Sequence, residues 1–397
     1  MTRAMELSPS NPSYLDMRNS ILEADMVDND GSLHNTIWTV FAHRGMGFFA
    51  AAVDGDDLAP VEDFSMPPDG KPTGRIQGTV TDVDSGAGIQ GIIVQFGGHN
   101  SGFTGTLAAI TDENGRYEIR NIFPGTYPKV AASGAGFDPQ VQSVTVLGRN
   151  DEDEDDGDHS GKGKGGDNHG KGKADDHRGR GKHDDKNKQA DVNFQLRRDW
   201  AALSGGGSIF KFNGPDFTGF GCGPSSAIDQ SETNGWGSTT DGDDGTSTGK
   251  VTPKFIIVQL PVAVNVSEIT VNPSNTCGDG GSAATRGWRV EVSSDGTTFT
   301  QLGQGVFYLG NRAKENTVFT GTSANVKFVR FWMLNPQVPT APTVNGVLPT
   351  CTGPADCGTD PDNNPGVALH CTPPNVDAFG GCQFMDMDEI KVFGVAS

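Results

Sequence analysis

The chain has 397 residues, a formal net charge of −20, 56 glycines, 23 prolines and only 34% hydrophobic residues. This length argues against a single core and predicts two or three domains, and the Gly and Pro content predicts short strands and many turns rather than helical bundles. The acidic balance argues against nucleic acid and anionic membrane surfaces as partners, and no apolar run reaches the roughly 18–20 residues that span a bilayer. Met1-Thr-Arg-Ala-Met-Glu-Leu7 lacks the apolar stretch of an export signal.

Residues 1–74 carry two helical patterns. The first begins at Ser13 and places Tyr14, Met17, Ile21 and Ala24 on one face. The second follows Ser32, places Leu33, Ile37, Val40 and Phe41 together, and stops at Gly45 and Gly47. Met66-Pro-Pro-Asp-Gly70 reads as a linker. Two such helices cannot bury a core of their own and read as part of a larger domain. Tyr14-Leu-Asp-Met-Arg-Asn-Ser-Ile-Leu-Glu-Ala-Asp25 and Asn35-Thr-Ile-Trp-Thr-Val-Phe-Ala-His-Arg-Gly-Met-Gly47 resemble the last two helices of fungalysin-type secreted zinc metallopeptidases. The resemblance implies a parent enzyme holding zinc through a His-Glu-x-x-His helix and a downstream Glu. None of the eight histidines stands in that motif, so the expected zinc ligands lie upstream of Met1. His34 and His43 read as helix residues rather than ligands.

Residues 75–198 alternate in short runs: Arg75–Asp82, Gly91–Phe96 and Gln142–Leu147. Turn signals separate them at Asp84-Ser-Gly86, Asp112-Glu-Asn-Gly115, Pro124-Gly125 and Asp138-Pro139, which predicts an antiparallel sandwich. Thr111-Asp-Glu-Asn-Gly-Arg-Tyr-Glu-Ile119 with Ile122-Phe-Pro-Gly-Thr-Tyr127 resembles the carboxypeptidase regulatory-like, or transthyretin-like, domain. The resemblance implies a spacer or stability module, with Tyr117 and Tyr127 in the core or at turns. Residues 151–189 hold no aliphatic side chain larger than alanine and are expected to be a disordered insertion. Their acidic run and His159, His169, His177 and His183 offer donors to a metal; a solvated polyampholyte is the favoured reading, because ordering such ligands costs entropy. Ala190–Leu196 is expected to close the sandwich by pairing with Val141–Leu147.

Residues 199–397 show strand candidates at Phe255–Leu260, Val266–Val271, Trp288–Val292, Phe299–Leu302, Thr317–Phe319, Val326–Leu334 and Met385–Phe393. They predict a jelly-roll β-sandwich of roughly eight strands. Its six cysteines, Cys222, Cys277, Cys351, Cys357, Cys371 and Cys382, predict disulfides and an oxidising compartment; about 15 pairings are open. The loop from Asn335 to Gly381 exceeds ordinary loop lengths, holds three of those cysteines and the stretch Asp360–Pro365, and contains one aromatic, Phe379.

Ala227-Ile-Asp229 with Trp236, Arg286-Gly-Trp-Arg-Val-Glu-Val-Ser-Ser-Asp-Gly296, Lys327-Phe-Val-Arg-Phe331 and Asp388-Glu-Ile-Lys-Val-Phe-Gly394 resemble the discoidin, or coagulation-factor type C, family with its galactose-binding-like fold. The resemblance implies binding of sugars or lipid headgroups at loops on one end of the sandwich. It also implies a structural calcium near the ends of the domain. By position Asp229, Ser231, Asn234 and Glu389 supply its oxygens, with Asn234 standing where the family has Thr. Trp236, Trp288 and Trp332 read as packing residues, and Arg286, Arg289 and Arg312 as a solvated edge that offers charge to an anionic ligand.

The chain is therefore expected to be mainly β in three parts: a two-helix peptidase remnant and linker (1–74), a small sandwich with a charged insertion (75–198), and a discoidin-like jelly roll (199–397). The expected function is that of a non-catalytic, extracellular region whose last module holds a glycan or another surface ligand. Its expected partners are that ligand and the upstream peptidase domain, from which an export signal is also expected. Zinc belongs only to that upstream domain. The alternatives are a truncated form of an active zinc metalloendopeptidase and a purely structural pair of β-domains.

Overall fold

A computed structural model describes residues 1–99, 107–148, 190–231, 233–240, 252–337, 381 and 383–397. The charged insertion and Cys351, Cys357, Cys371 and Cys382 lie outside the described residues. The molecule is mainly β, with its α-helices in the N-terminal segment.

Three helices open the chain: α1 (Thr2–Leu7), α2 (Tyr14–Asn29) and α3 (His34–Ala42). A capping box starts α2, since Ser13 Oγ accepts from Asp16 N while Ser13 N donates to Asp16 Oδ2. The helix forms where the periodicity places it, but the buried face differs. Tyr14 is 86% exposed, whereas Leu15, Arg18, Leu22 and Asp25 are buried. The reason is Arg18. Its guanidinium is fully buried and donates to the carbonyls of Gly47 (2.7 Å), Met46 (3.2 Å) and Gly98 (2.7 Å). Burial lowers Arg18 to about 10 against the opposing fields of Asp16 and Asp63. Helix α3 likewise buries Trp38 and Ala42 and leaves Leu33 and Val40 half exposed. Gly45 follows it at φ +80°, a conformation that suits glycine.

The small sandwich has two sheets. One runs β4 (Arg116–Ile122) to β1 (Gly74–Asp82), with β7 (Ala190–Asp191) and β8 (Phe194–Leu196) on the far side of β1. The other runs β3 (Ala108–Ile110), β2 (Ile93–Phe96), β5 (Gly125–Gly134), β6 (Phe137–Val146). The expected pairing of Ala190–Leu196 with Val141–Leu147 is corrected: β7 and β8 pair in parallel with β1. β6 meets them through side chains instead, with Gln142 Nε2 donating to Asn193 O and Gln140 Oε1 accepting from Gln195 N. Tyr117 and Tyr127 are buried, and their hydroxyls donate to Val192 O and Phe123 O. Leu22, Trp38 and Phe48 join Ile76, Phe96 and Tyr127 in one core, so the helical segment buries its apolar side on this sandwich.

The large sandwich contains β9 (Ser208–Phe212), β10 (Trp236–Thr239), β11 (Lys254–Asn272), β12 (Thr285–Ser293), β13 (Thr300–Val306), β14 (Asn316–Pro336), β15 (Phe384–Met387) and β16 (Glu389–Ala396). One sheet has the order β13-β12-β14-β11-β16, with β9 on β11; a second joins β10 to β15. Four expected strands merge into two, because β11 and β14 bend through register shifts between Gln259 and Val266 instead of ending. The last expected strand splits at Asp388, whose N–H donates to Asn272 O.

The two sandwiches touch directly. Arg197 pairs with Glu268 at 2.7 Å and lies 3.9 Å above the Phe393 ring. Gln230 Nε2 donates to Phe137 O, and Lys391 pairs with Asp138 at 3.0 Å.

Replacing Arg18 with methionine should take this donor from the carbonyls of Met46 and Gly47, while Gly98 O keeps Asn19 Nδ2 at 2.9 Å. The expected loss is about 3 kcal/mol of stability in urea denaturation. Tyr14→Ala, on the exposed face, should change stability by less than about 0.5 kcal/mol.

Candidate functional site

Two places in the large sandwich bring chemistry-bearing side chains together. The first forms where the opening and closing segments of that domain meet. Trp200 N donates to Val392 O at 2.8 Å, which lays residues 199–201 along β16. β16 in turn pairs with β11, Glu389 opposite Asn272. A short 3-10 turn, Pro224–Ile228, delivers Asp229 to the same region. Asp229 and Glu389, 160 positions apart by their numbers, thus become neighbours whose fields act on each other.

Glu389 is 0% exposed, and among the described residues neither carboxylate oxygen has a hydrogen-bond partner. Burial pushes its carboxyl well above the usual range, and the acidic Asp199 and Asp229 push it further. Asp199 is also buried. Its Oδ1 accepts from Val392 N and Ala201 N at 2.9 Å each, its Oδ2 has no partner among the described residues, and burial raises it to about 7. Asp229 is raised as well, chiefly by burial. The Lys391 ammonium opposes these shifts only in part, and a buried carboxylate short of donors is costly, so this cluster calls for a proton or a cation.

Of the four predicted calcium ligands, Asp229 and Glu389 come together. Asn234 bonds to Asp229 and also donates to Ser226 Oγ at 3.2 Å. Ser231 donates its N–H to Asp229 Oδ1, while its hydroxyl lies 3.4 Å from Asp56 Oδ2. Among the described residues no three His, Cys, Asp or Glu side chains converge to hold a metal by themselves. An ion here would take hydroxyl, amide or main-chain oxygens too, which suits calcium better than zinc. Asp199 is the residue that sequence reasoning missed; its only local signal is a charged Arg-Arg-Asp-Trp step into the domain.

The second place is the loop end. Phe307 is buried and stacks on Trp288 at 5.5 Å, which anchors the segment after β13. The next residue, Tyr308, is 46% exposed, with the Arg286 guanidinium 5.8 Å from its ring. Arg312 Nε donates to Gln337 Oε1 at 2.7 Å, and Gln337 Nε2 reaches Tyr308 O at 3.3 Å. Of the three arginines read as a solvated edge, Arg289 is different. It faces Glu291 and Trp332, and Glu291 also holds Arg330. Trp236 and Trp288 are core residues; Trp332 is partly exposed on the sheet face. Cys222 and Cys277 form a disulfide with Cα atoms 5.5 Å apart, which ties the turn before Asp229 to the loop after β11.

Residues 214–343 match the F5/8 type C domain, residues 75–155 the carboxypeptidase regulatory-like domain, and residues 1–50 the fungalysin metallopeptidase family. Three segments match three families. Among solved structures, the C-terminal domain of a chitobiase from Bacteroides fragilis is 17% identical, covering 48% of this chain and 95% of that one, with a TM-score of 0.30. A family 32 carbohydrate-binding module of Clostridium perfringens, solved with galactose, is 14% identical over 47% and 91% of the two chains, with a TM-score of 0.27. A chitosan-binding module from Paenibacillus sp. IK-5 is 17% identical over 47% and 93%, with a TM-score of 0.26. Comparison with curated proteins gives no match. Among the described residues no helix is long and apolar enough to cross a membrane.

The raised carboxyl of Asp199 has a stability consequence. Its folded pKa, about 7, lies above the ordinary 3.8, so the folded state holds the proton more tightly. The contribution is present in full below the ordinary value and is lost as pH rises through about 7. In chelator, the melting midpoint should fall between pH 5 and pH 8, and Asp199→Asn should flatten that fall.

Proposed function

We propose that this chain is the non-catalytic C-terminal region of a secreted fungalysin-like metallopeptidase, and that its discoidin-like module holds a glycan or another surface ligand. The observation that carries this reading is Tyr308. An aromatic ring is held half in solvent by a buried neighbour, with a guanidinium at its face and polar side chains around it. Such a ring stacks on the C–H face of a sugar, while Arg286 offers donors to its hydroxyls. The family match over residues 214–343 supports the same reading, because modules of this resemblance bind sugars or headgroups at loops.

The match over residues 1–50 supports a peptidase parent, and the sequence holds no His-Glu-x-x-His to perform the chemistry itself. A chelator-sensitive hydrolysis of casein by this chain would overturn the non-catalytic assignment. The binding assignment is tested on a glycan array and by calorimetry with galactose as the first probe. Tyr308→Ala should weaken any sugar bound by about tenfold, equivalent to about 1.4 kcal/mol, with an unchanged melting midpoint. A chain that retains no glycan would favour purely structural domains.

Calcium at Asp229 and Glu389 belongs to this proposal. Bound there, the ion would neutralise the buried Glu389 and clamp the two ends of the domain together. Asp229 and Glu389 would supply carboxylate oxygens, with Ser231 and Asn234 beside them. Saturating calcium should raise the melting midpoint by about 5 °C or more, and Glu389→Gln should reduce that rise.

A further inference from the structure

The loop after β11 carries a second pair of acids, separate from Glu389. Thr276 to Asp279 makes a tight turn, closed by Asp279 N donating to Thr276 O at 2.8 Å, with Cys277 and Gly278 at φ +61° and +80°. The turn is bonded to Asp386 of β15 through Thr276 and brings the charge of Asp279 onto the Asp386 carboxyl. Both are buried, at 8% and 0% exposure, so solvent does little to screen them. Asp386 Oδ2 accepts from Thr276 N at 3.1 Å, but among the described residues Oδ1 has no donor. Gly237, paired with Asp386 across the two strands, presents no side chain there; a Cβ would stand 3.4 Å from that oxygen. The charges that reach Asp386 are those of Asp279 and Asp388, both acidic.

Two buried carboxyl groups whose charges act on each other cannot both carry free charge. Either they share a proton or a cation lies with them. We propose that Asp279 and Asp386 form a second cation site of the large sandwich, taking a divalent, oxygen-seeking ion such as calcium. Asp279 and Asp386 Oδ1 supply charged oxygens beside the side-chain-free face of Gly237, and main-chain carbonyls of the turn complete a hard donor set. The loop is also bound to the ligand end. Ala313 N donates to Ser274 Oγ at 2.6 Å, and Gln337 N donates to Ala284 O at 2.7 Å. An ion at this pair would brace the segment that presents Tyr308. At low pH the pair holds a proton instead, consistent with the raised carboxyl of Asp279, at about 6.

The full chain is tested at pH 7.5 by melting and by terbium luminescence excited through tryptophan; Trp236 neighbours the pair along β10. Melting counts only ions that favour the folded state, so weak binding to the acidic insertion does not register. Glu389→Gln removes the other site. In that background calcium should still raise the melting midpoint by a few degrees and terbium should still luminesce saturably. Adding Asp386→Asn should abolish both. Asp229→Asn serves as the background if Glu389→Gln fails to fold. A Glu389→Gln chain with no calcium shift and no terbium signal would mean that the pair holds a proton only, which overturns the proposal. So would a response that survives Asp386→Asn. A wild-type calcium shift that is lost with Asp386→Asn but kept with Glu389→Gln would uphold this site and sink the calcium reading of Asp229 and Glu389.

Discussion

Glu389 sits at the first residue of the last strand, wholly buried, with neither carboxylate oxygen bonded among the described residues. A group in that state imposes a constraint on everything around it. Its charge must be cancelled by a proton or an ion, and the backbone must hold the cancelling partner in place. Three segments meet that constraint. Residues 199–201 run along β16, the turn ending at Asp229 closes over it, and β11 pairs with it from Val264 to Asn272. Beside them lies the core that holds Trp236, Ile269 and Ile390. The electrostatics of one residue and the closure of the sandwich are therefore one problem.

The same segment joins the two sandwiches. Arg197, just after β8, reaches Glu268 of β11 and covers Phe393, while Lys391 of β16 reaches Asp138 of β6. These pairs are partly buried, so they are screened less than surface pairs. At the other end of the small sandwich, Arg18 ties helix α2 to the turn after β2 through Gly98. Three family matches thus share a continuous set of contacts. The helical segment has only a small cluster of its own, Leu15, Ala50 and Ala52, and its Leu22, Trp38 and Phe48 are completed by the small sandwich. A module at the distal end is carried by a packed scaffold rather than by a bare linker.

At the loop end the chemistry is of a different kind. Phe307 and Trp288 give Tyr308 a fixed base, and Gln337 holds it by its carbonyl. The Cys222–Cys277 disulfide and the Thr276–Asp386 hydrogen bond fasten the neighbouring loop. Fastened loops bind with less ordering entropy to overcome. Arg289, by contrast, is engaged with Glu291 and Trp332 and is a packing element of the sheet face.

Much of this was legible in the residues. Alternation found the strands, because one side of each is buried and the other is not, and turn residues found most of their ends. Asp229 and Glu389 were read together from motif positions. Other features were not legible. The buried face of α2 includes Arg18 and Asp25, and hydrophobic periodicity cannot see a face lined by a charge whose carbonyl acceptors lie 28 to 80 residues away. The parallel pairing of β8 with β1 was hidden because alternation shows which side of a strand is buried, not which neighbour it has. Asp199, Asp279 and Asp386 looked like ordinary polar residues of loops and strand edges. The sequence alone determined the class of fold and the absence of a zinc-peptidase motif, since these depend on local pattern. The tertiary structure decided which acids are stripped of water and which of them meet, since burial and contact across long separations arise only when the sheets close.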